Sequence, residues 1–212
     1  MVTHPRVHDL VKLSPIAITT LVERAVSSGD LWVHSSLDSA PWAVVRRALP
    51  AADDHVAIGI RGLDRSQRWG TDIPLSEIEE VISVDELVER NSGTLPHGPA
   101  FEALNTFIGL PFQIGPGGSA GFELHTGWKV THDRSDLDMV VYFNHPPTPE
   151  EIALLKKTAE QAAAHTRVDI LVETPSGGVA FEELARASGM VPQPSMMLRT
   201  SEGPELVTEI WR

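Results

Sequence analysis

The chain has 212 residues, enough for one large domain or two small ones, and its 42% apolar and 22% charged residues permit an ordinary core and exclude a disordered polymer. Cysteine is absent. That removes disulfides, thiolate zinc sites and a cysteine nucleophile together, leaving oxygen and imidazole ligands of the kind that suit hard cations. The net charge of -12 is uneven: residues 1–70 hold eight Lys/Arg against seven Asp/Glu, whereas residues 71–212 hold nine against twenty-two. An acidic balance argues against nucleic-acid binding, which runs on positive surface. The first residues lack the charged-then-apolar order of a signal peptide, and no apolar run approaches the ~18 residues of a membrane span, so a cytoplasmic protein without membrane contact is expected.

In chain order, Trp42–Arg47 and Val56–Arg61 read as strands separated by the polar turn Pro50–His55. Ser83-Val-Asp-Glu86 matches a capping box and predicts a short helix through Arg90. The breaker-rich segment from Asn91 to Gly98 is the candidate domain boundary, giving a β-rich lobe over residues 1–96 and a second domain over 97–212. Pro99 suits the first position of a helix running to about Ile108. Phe112-Gln-Ile114 leads into the glycine-rich loop Gly115–Gly121. Leu137–Phe143 is a strongly apolar strand. Thr148-Pro-Glu-Glu151 is a second capping box, opening a helix with Ile152, Leu155, Ala159 and Ala163 on one face. Arg167–Glu173 is a strand, Ser176-Gly-Gly178 a turn, and Ala180–Ser188 a short helix stopped by Gly189. Met196–Thr200 and Glu205–Ile210 close as a hairpin. This order predicts an α+β (mixed α/β) fold.

The stretch Ser135-Asp136-Leu137-Asp138-Met139 carries the most chemistry. Residues two apart in a strand share a face, so Asp136 and Asp138 project together while Leu137, Met139 and Val141 enter the core. Two adjacent carboxylates repel unless a cation stands between them, and divalent metal is the direct solution. The alternative is a polar strand end with both aspartates in water. Gly118-Ser119 upstream and Asp169 on a later strand complete the order of a nucleotidyltransferase palm, in which Gly-Ser holds departing phosphates and the third carboxylate completes the metal site. Asp169 can equally pair with Arg167.

Gly115-Pro-Gly117-Gly-Ser-Ala120 also fits a dinucleotide-binding fingerprint, with Asp136 twenty-one residues on. That fingerprint needs a helix to begin inside the loop. Gly121, Thr126-Gly127 and the polar run Thr131–Arg134 are expected to prevent one. Arg46-Arg47 and the block containing Arg61, Arg65 and Arg68 offer guanidinium forks for phosphate; a solvated loop with local ion pairs is the competing reading. No histidine pair has metal-ligand spacing; His8, His125 and His132 are the ones near candidate chemistry. No serine sits in a hydrolase elbow.

At these residues the sequence resembles the malonate decarboxylase holo-acyl-carrier-protein synthase family, also called phosphoribosyl-dephospho-CoA transferases. The resemblance runs through Arg6-Val-His-Asp-Leu10, Pro41–Arg47, Ile58–Arg68, Gly118-Ser119, Thr126-Gly127-Trp128, Ser135–Met139, Arg167-Val-Asp169, Gly177–Glu183 and Met197–Thr200. It implies a nucleotidyltransferase-like palm with a smaller N-terminal lobe, and a triphosphoribosyl-dephospho-CoA donor. The implied acceptor is a serine on the acyl carrier subunit of malonate decarboxylase, with pyrophosphate as the leaving group. Asp136 and Asp138 would hold one or two magnesium ions, joined by Asp169. Gly118, Ser119, Thr126 and Gly127 would contact substrate, with Arg46, Arg47, Arg61, Arg65 and Arg68 supporting phosphates. The later strand reads Asp169-Ile-Leu171 where the family pattern has Asp-Gly-Glu. Two other functions remain open on the residues alone: a nucleotidyltransferase with a different acceptor, and a non-catalytic nucleotide-binding module.

Overall fold

The computed structural model describes residues 4–64, 66–90 and 95–211. The first part of the chain runs β1 (Leu10–Leu13), α1 (Pro15–Ser28), α2 (Trp32–Ser39), β2 (Trp42–Val45), β3 (His55–Arg61), β4 (Arg68–Pro74) and β5 (Ile78–Ile82). Its strands form one antiparallel sheet in the order β4-β3-β2-β1-β5. Helix α1 begins where Ser14 Oγ accepts the Ala17 N–H, carries Pro15 in its first turn and stops at Gly29, whose φ of +87° suits glycine. Its Ala17, Leu21 and Ala25 lie buried at helical spacing against Val11, Leu13, Ile58 and Ile60 of the sheet.

Helices α1 and α2, which the sequence analysis does not mark, accompany these five strands. An antiparallel sheet with two apolar faces needs a cover on each, and α1 and α2 supply one. The other face is set by strand alternation. On β3, Val56, Ile58 and Ile60 turn toward the helices, which leaves Gly59 and Arg61 on the opposite side. Leu10 and Ile82 of this sheet join the larger core formed with the rest of the chain.

The remainder runs α3 (Leu87–Arg90), α4 (Pro99–Asn105), β6 (Gln113–Pro116), α5 (Gly118–Thr126), β7 (Leu137–Tyr142), α6 (Pro149–Ala162), β8 (Val168–Thr174), β9 (Gly177–Ala180), α7 (Phe181–Ala187), β10 (Met196–Arg199) and β11 (Pro204–Val207). The sheet order is β11-β10-β9-β8-β7-β6, and β7 and β8 are its parallel pair, joined through α6. The capping box at Thr148 forms as expected, with Thr148 Oγ1 accepting from Glu151 N and Glu151 Oε2 accepting from Thr148 N. The buried face of α6 is Leu155, Thr158 and Ala162, with Ala163 exposed at the cap. The short helix before Arg90 forms behind a 3-10 turn, but Ser83 makes no side-chain cap. Thr94 and the three residues before it, where the domain boundary was sought, lie outside the described residues.

Leu137, Met139 and Val141 are at most 1% exposed, as alternation requires, and each such side chain contributes about 1.5–3 kcal/mol by leaving water. A helix does begin in the glycine loop, at Gly118, contrary to expectation. The dinucleotide reading still fails, because β6 and β7 flanking that helix are antiparallel, whereas a dinucleotide unit needs a parallel crossover. Among the described residues no helix is long and apolar enough to cross a membrane.

Asp9 sits at the junction of the sheets, 2% exposed, where burial pushes its carboxyl up to about 6 although the Arg6 N–H donates to it. A carboxyl raised in the fold keeps its proton longer folded than unfolded, so its stabilising contribution is full below the unfolded value of 3.8 and lost as pH climbs through about 6. Urea unfolding at pH 5 and 7.5 should therefore show a smaller stability difference for Asp9→Asn than for the parent chain.

Candidate active site

A cleft of about 900 Å³ opens between the two sheets, and its walls carry Arg46, Arg61, Arg68, Gly118, Asp138 and Asp169. The same wall holds Arg167 and Arg199, which the sequence reading did not select as substrate contacts.

Gly118 and Asp138 define the centre. Gly117 donates its N–H to Asp138 O at 2.8 Å, which fastens the glycine bend to the head of β7. Gly118 adopts φ +53°, and a Cβ there would stand 2.0 Å from Asp138 Oδ2. Only glycine therefore lets the carboxylate rest against the first turn of α5. The nine-residue helix α5 presents its free first-turn N–H groups at this point. Ser119 Oγ accepts from Arg61 Nη2 at 2.8 Å.

Arg61 is 5% exposed, and among the described residues its Nε has no hydrogen-bond partner. Burial first, then repulsion from Arg68, lowers its pKa to about 10, while Asp138 and Glu123 pull the other way. It remains a cation at neutral pH. A buried cation with a spare N–H, beside a helix N-terminus, is a site for anionic oxygen.

On β7 and β8 the acids come in rungs. Asp138 lies opposite Asp169 in the parallel register, and Leu137 opposite Val168. Asp136 is half-buried one residue ahead of β7, close enough to Arg167 for its charge to act there, and does not line the cleft that holds Asp138 and Asp169. Asp169 Oδ1 accepts from Arg167 Nη2 at 3.0 Å; that hydrogen bond, then the charges of Asp169 and Asp136, raise Arg167. The ion pair with Arg167 that the sequence allows for Asp169 is present. Among the described residues no three His, Asp or Glu side chains stand together as a preformed metal cage.

Other selected residues lie elsewhere. Thr126 and Gly127 end α5: Thr126 Oγ1 donates to Phe122 O, and Gly127, φ +71°, donates to Glu123 O. The helical rise of about 1.5 Å per residue puts Thr126 about 12 Å from Gly118. Arg47, in the bend after β2, pairs with Glu173 and does not line the cleft. Arg65 is outside the described residues. Glu173 also accepts from His8 Nε2 at 2.9 Å. It stands four residues beyond Asp169 on β8, about 13 Å along the strand, and so serves the junction rather than the carboxylate pair. His125 packs edge-on to Trp42 at 4.2 Å, and burial lowers its pKa. His132 Nδ1 accepts from Arg134 N.

Glu123 is a further residue the sequence reading left without a role. It is 5% exposed, and its Oε2 accepts from Val130 N at 2.9 Å and Thr131 N at 2.7 Å, fixing the loop that leads to Asp136. Glu123→Ala strands two N–H groups and is expected to lower unfolding free energy by about 2–4 kcal/mol in urea titrations, with Glu123→Gln milder.

Family models cover the chain in two pieces: the N-terminal domain of phosphoribosyl-dephospho-CoA transferase MdcG matches residues 6–83, and its C-terminal domain matches residues 87–209. A Pseudomonas aeruginosa protein named phosphoribosyl-dephospho-CoA transferase is 36% identical, across 98% of this chain and 94% of the relative. Proteins of the same name from Pseudomonas putida (strain GB-1) and Azotobacter vinelandii are 33% and 31% identical, each across 98% of this chain and 95% of the relative. No solved structure matches the chain. A mixed α+β protein with these relatives is a transferase. The chain belongs to the phosphoribosyl-dephospho-CoA transferase family.

Proposed function

We propose that the protein transfers the phosphoribosyl-dephospho-CoA group from its triphosphoribosyl donor to a serine of the acyl carrier subunit of malonate decarboxylase. The observation that supports this reading is the contact of Gly118 with Asp138, which brings the N-terminus of α5 and a carboxylate together in a cleft lined by arginines, Arg46, Arg61 and Arg68 among them. The names of the relatives support the donor; the acceptor follows from the family resemblance.

In the transfer, the serine Oγ attacks the donor's α-phosphorus. The new Oγ–P bond forms as the bond to the bridging oxygen of the β-phosphate breaks, and pyrophosphate leaves with that electron pair. The serine proton passes to solvent. Gly118 N–H, Ser119 and Arg61 meet the leaving phosphates, and Arg46 and Arg68 neutralise the rest of the polyanion. No enzyme nucleophile is required.

The donor set fits magnesium. Two hard carboxylates two residues apart, Asp136 and Asp138, are what this ion uses together with substrate phosphates, so a three-acid cage is unnecessary. Bound there, magnesium would neutralise charge on the α-phosphoryl oxygens. Asp169, held by Arg167, contributes by fixing that arginine beside Asp136. Transfer in the cytoplasm to an acidic carrier fits the arginine-lined cleft mouth.

The test is incubation with donor, magnesium and apo-carrier, following pyrophosphate and carrier mass together. Both should rise in equal amounts. Pyrophosphate without modified carrier would mean another acceptor; donor affinity without turnover would mean a binding module.

A further inference from the structure

We propose that Gly59 and Gly70 are positioning residues for Arg46, forming a trough that delivers its guanidinium to the phosphate-binding wall. The inference rests on the donor reading given above. Glycine weakens a strand, because it adds backbone entropy and no side chain to pack, yet β3 and β4 place two glycines directly opposite each other. Strand alternation puts both on the cleft face together with the neighbouring pair Arg61 and Arg68.

Arg46 follows β2, and its N–H donates to Ala57 O at 2.8 Å, so its side chain starts one strand away from Gly59. From there it lies flat across the sheet. A Cβ on Gly59 would stand 3.0 Å from Arg46 Cδ and 3.3 Å from Cγ; a Cβ on Gly70 would stand 1.8 Å from Nη1 and 2.7 Å from Cζ. The aliphatic part therefore rides over Gly59, and the guanidinium rests on Gly70. Among the described residues no carboxylate pairs with Arg46. A third cation beside Arg61 and Arg68 is repelled by them, and would swing into solvent if the bare backbone did not give it a flat bed. Held in place, it is organised for a multiply charged phosphate chain before the ligand arrives.

The experiment uses the full chain with Gly70→Ala, Arg46→Ala and the double variant. Calorimetry with inorganic triphosphate reads binding without the acceptor, and steady-state transfer separates donor KM from kcat. Gly70→Ala should weaken triphosphate binding and raise donor KM about 10- to 100-fold, with kcat within about twofold. Arg46→Ala should match it, and the double variant should be no weaker than Arg46→Ala alone. Should Gly70→Ala lower the melting temperature, adding Arg46→Ala removes the steric conflict and should restore it. Unchanged triphosphate affinity in Gly70→Ala, multiplicative losses in the double variant, a melting temperature that does not recover, or no triphosphate binding by the parent chain would each overturn the proposal. Arg46-dependent triphosphate binding without carrier modification would instead leave the trough standing and remove the transfer reading.

Discussion

Asp138→Asn is expected to reduce carrier modification by about 1000-fold or more, with little change in melting temperature. The substitution keeps shape and volume, so the contact with Gly118 survives. Asp138 is exposed on the cleft face of β7, while the neighbours that hold the strand in the core, Leu137 and Met139, are untouched. What disappears is one negative charge at the place where, in the proposed function, magnesium would meet the α-phosphate. A 1000-fold loss corresponds to about 4 kcal/mol of transition-state stabilisation, within the range for charge neutralisation in phosphoryl transfer. Asp136→Asn should act in the same direction. Both measurements need initial rates at saturating donor, with intact-protein mass as the readout. Transfer at the parent rate in either variant would remove the assigned role of that carboxylate.

The second large effect is on folding. Glu173 is 8% exposed, and its carboxylate is shared by His8 and Arg47, which come from the other sheet. Burial alone would raise it, but hydrogen bonds from His8 and Arg47 prevail and hold it below the usual carboxylate range. Glu173→Ala leaves two donors facing an apolar gap. Removal of one partner of a buried ion pair costs about 3–5 kcal/mol, and partial exposure of Arg47 and His8 brings the expectation to about 2–4 kcal/mol in urea unfolding. The pH dependence has a definite sign. Because the folded carboxyl is depressed, its contribution is present above the unfolded value near 4.5 and is lost as pH falls through the folded value. Glu173→Gln should thus be less acid-sensitive than the parent chain below about pH 4.5. An equal acid response would show that the cluster does not couple the sheets electrostatically.

The two capping boxes show how local chemistry reads out, and how it stops short. Thr148 and Glu151 form their reciprocal hydrogen bonds, whereas Ser83 precedes a 3-10 turn whose geometry leaves its hydroxyl out of the cap. Strand alternation located Leu137, Met139 and Val141 in the core from spacing alone. The same rule does not reach Arg46 and Arg47, which lie past the end of β2: one lines the cleft and the other reaches Glu173. What it could not supply was the partner, because Glu173 lies 126 residues away and no local pattern connects them.

The glycine loop was the main local misreading. Gly121 reads as a helix breaker, but its Cα sits against Pro116 O, where a Cβ would stand 2.2 Å away. Glycine there is a packing requirement, and the helix persists through it. Likewise α1 carried its own signals, Ser14 before Pro15 and Gly29 after Ser28, with Ala17, Leu21 and Ala25 at helical spacing between them. Gly59 and Gly70 could be recognised only once the strand register placed them opposite each other beneath Arg46.

The most direct measurement is intact-protein mass spectrometry of the apo-carrier after incubation with donor, magnesium and the parent chain, beside the same reaction with Asp138→Asn. The expected result is a mass gain of one phosphoribosyl-dephospho-CoA unit on a single serine with the parent chain, and essentially none with the variant. An unmodified carrier with the parent chain, or equal modification by both proteins, would contradict the account.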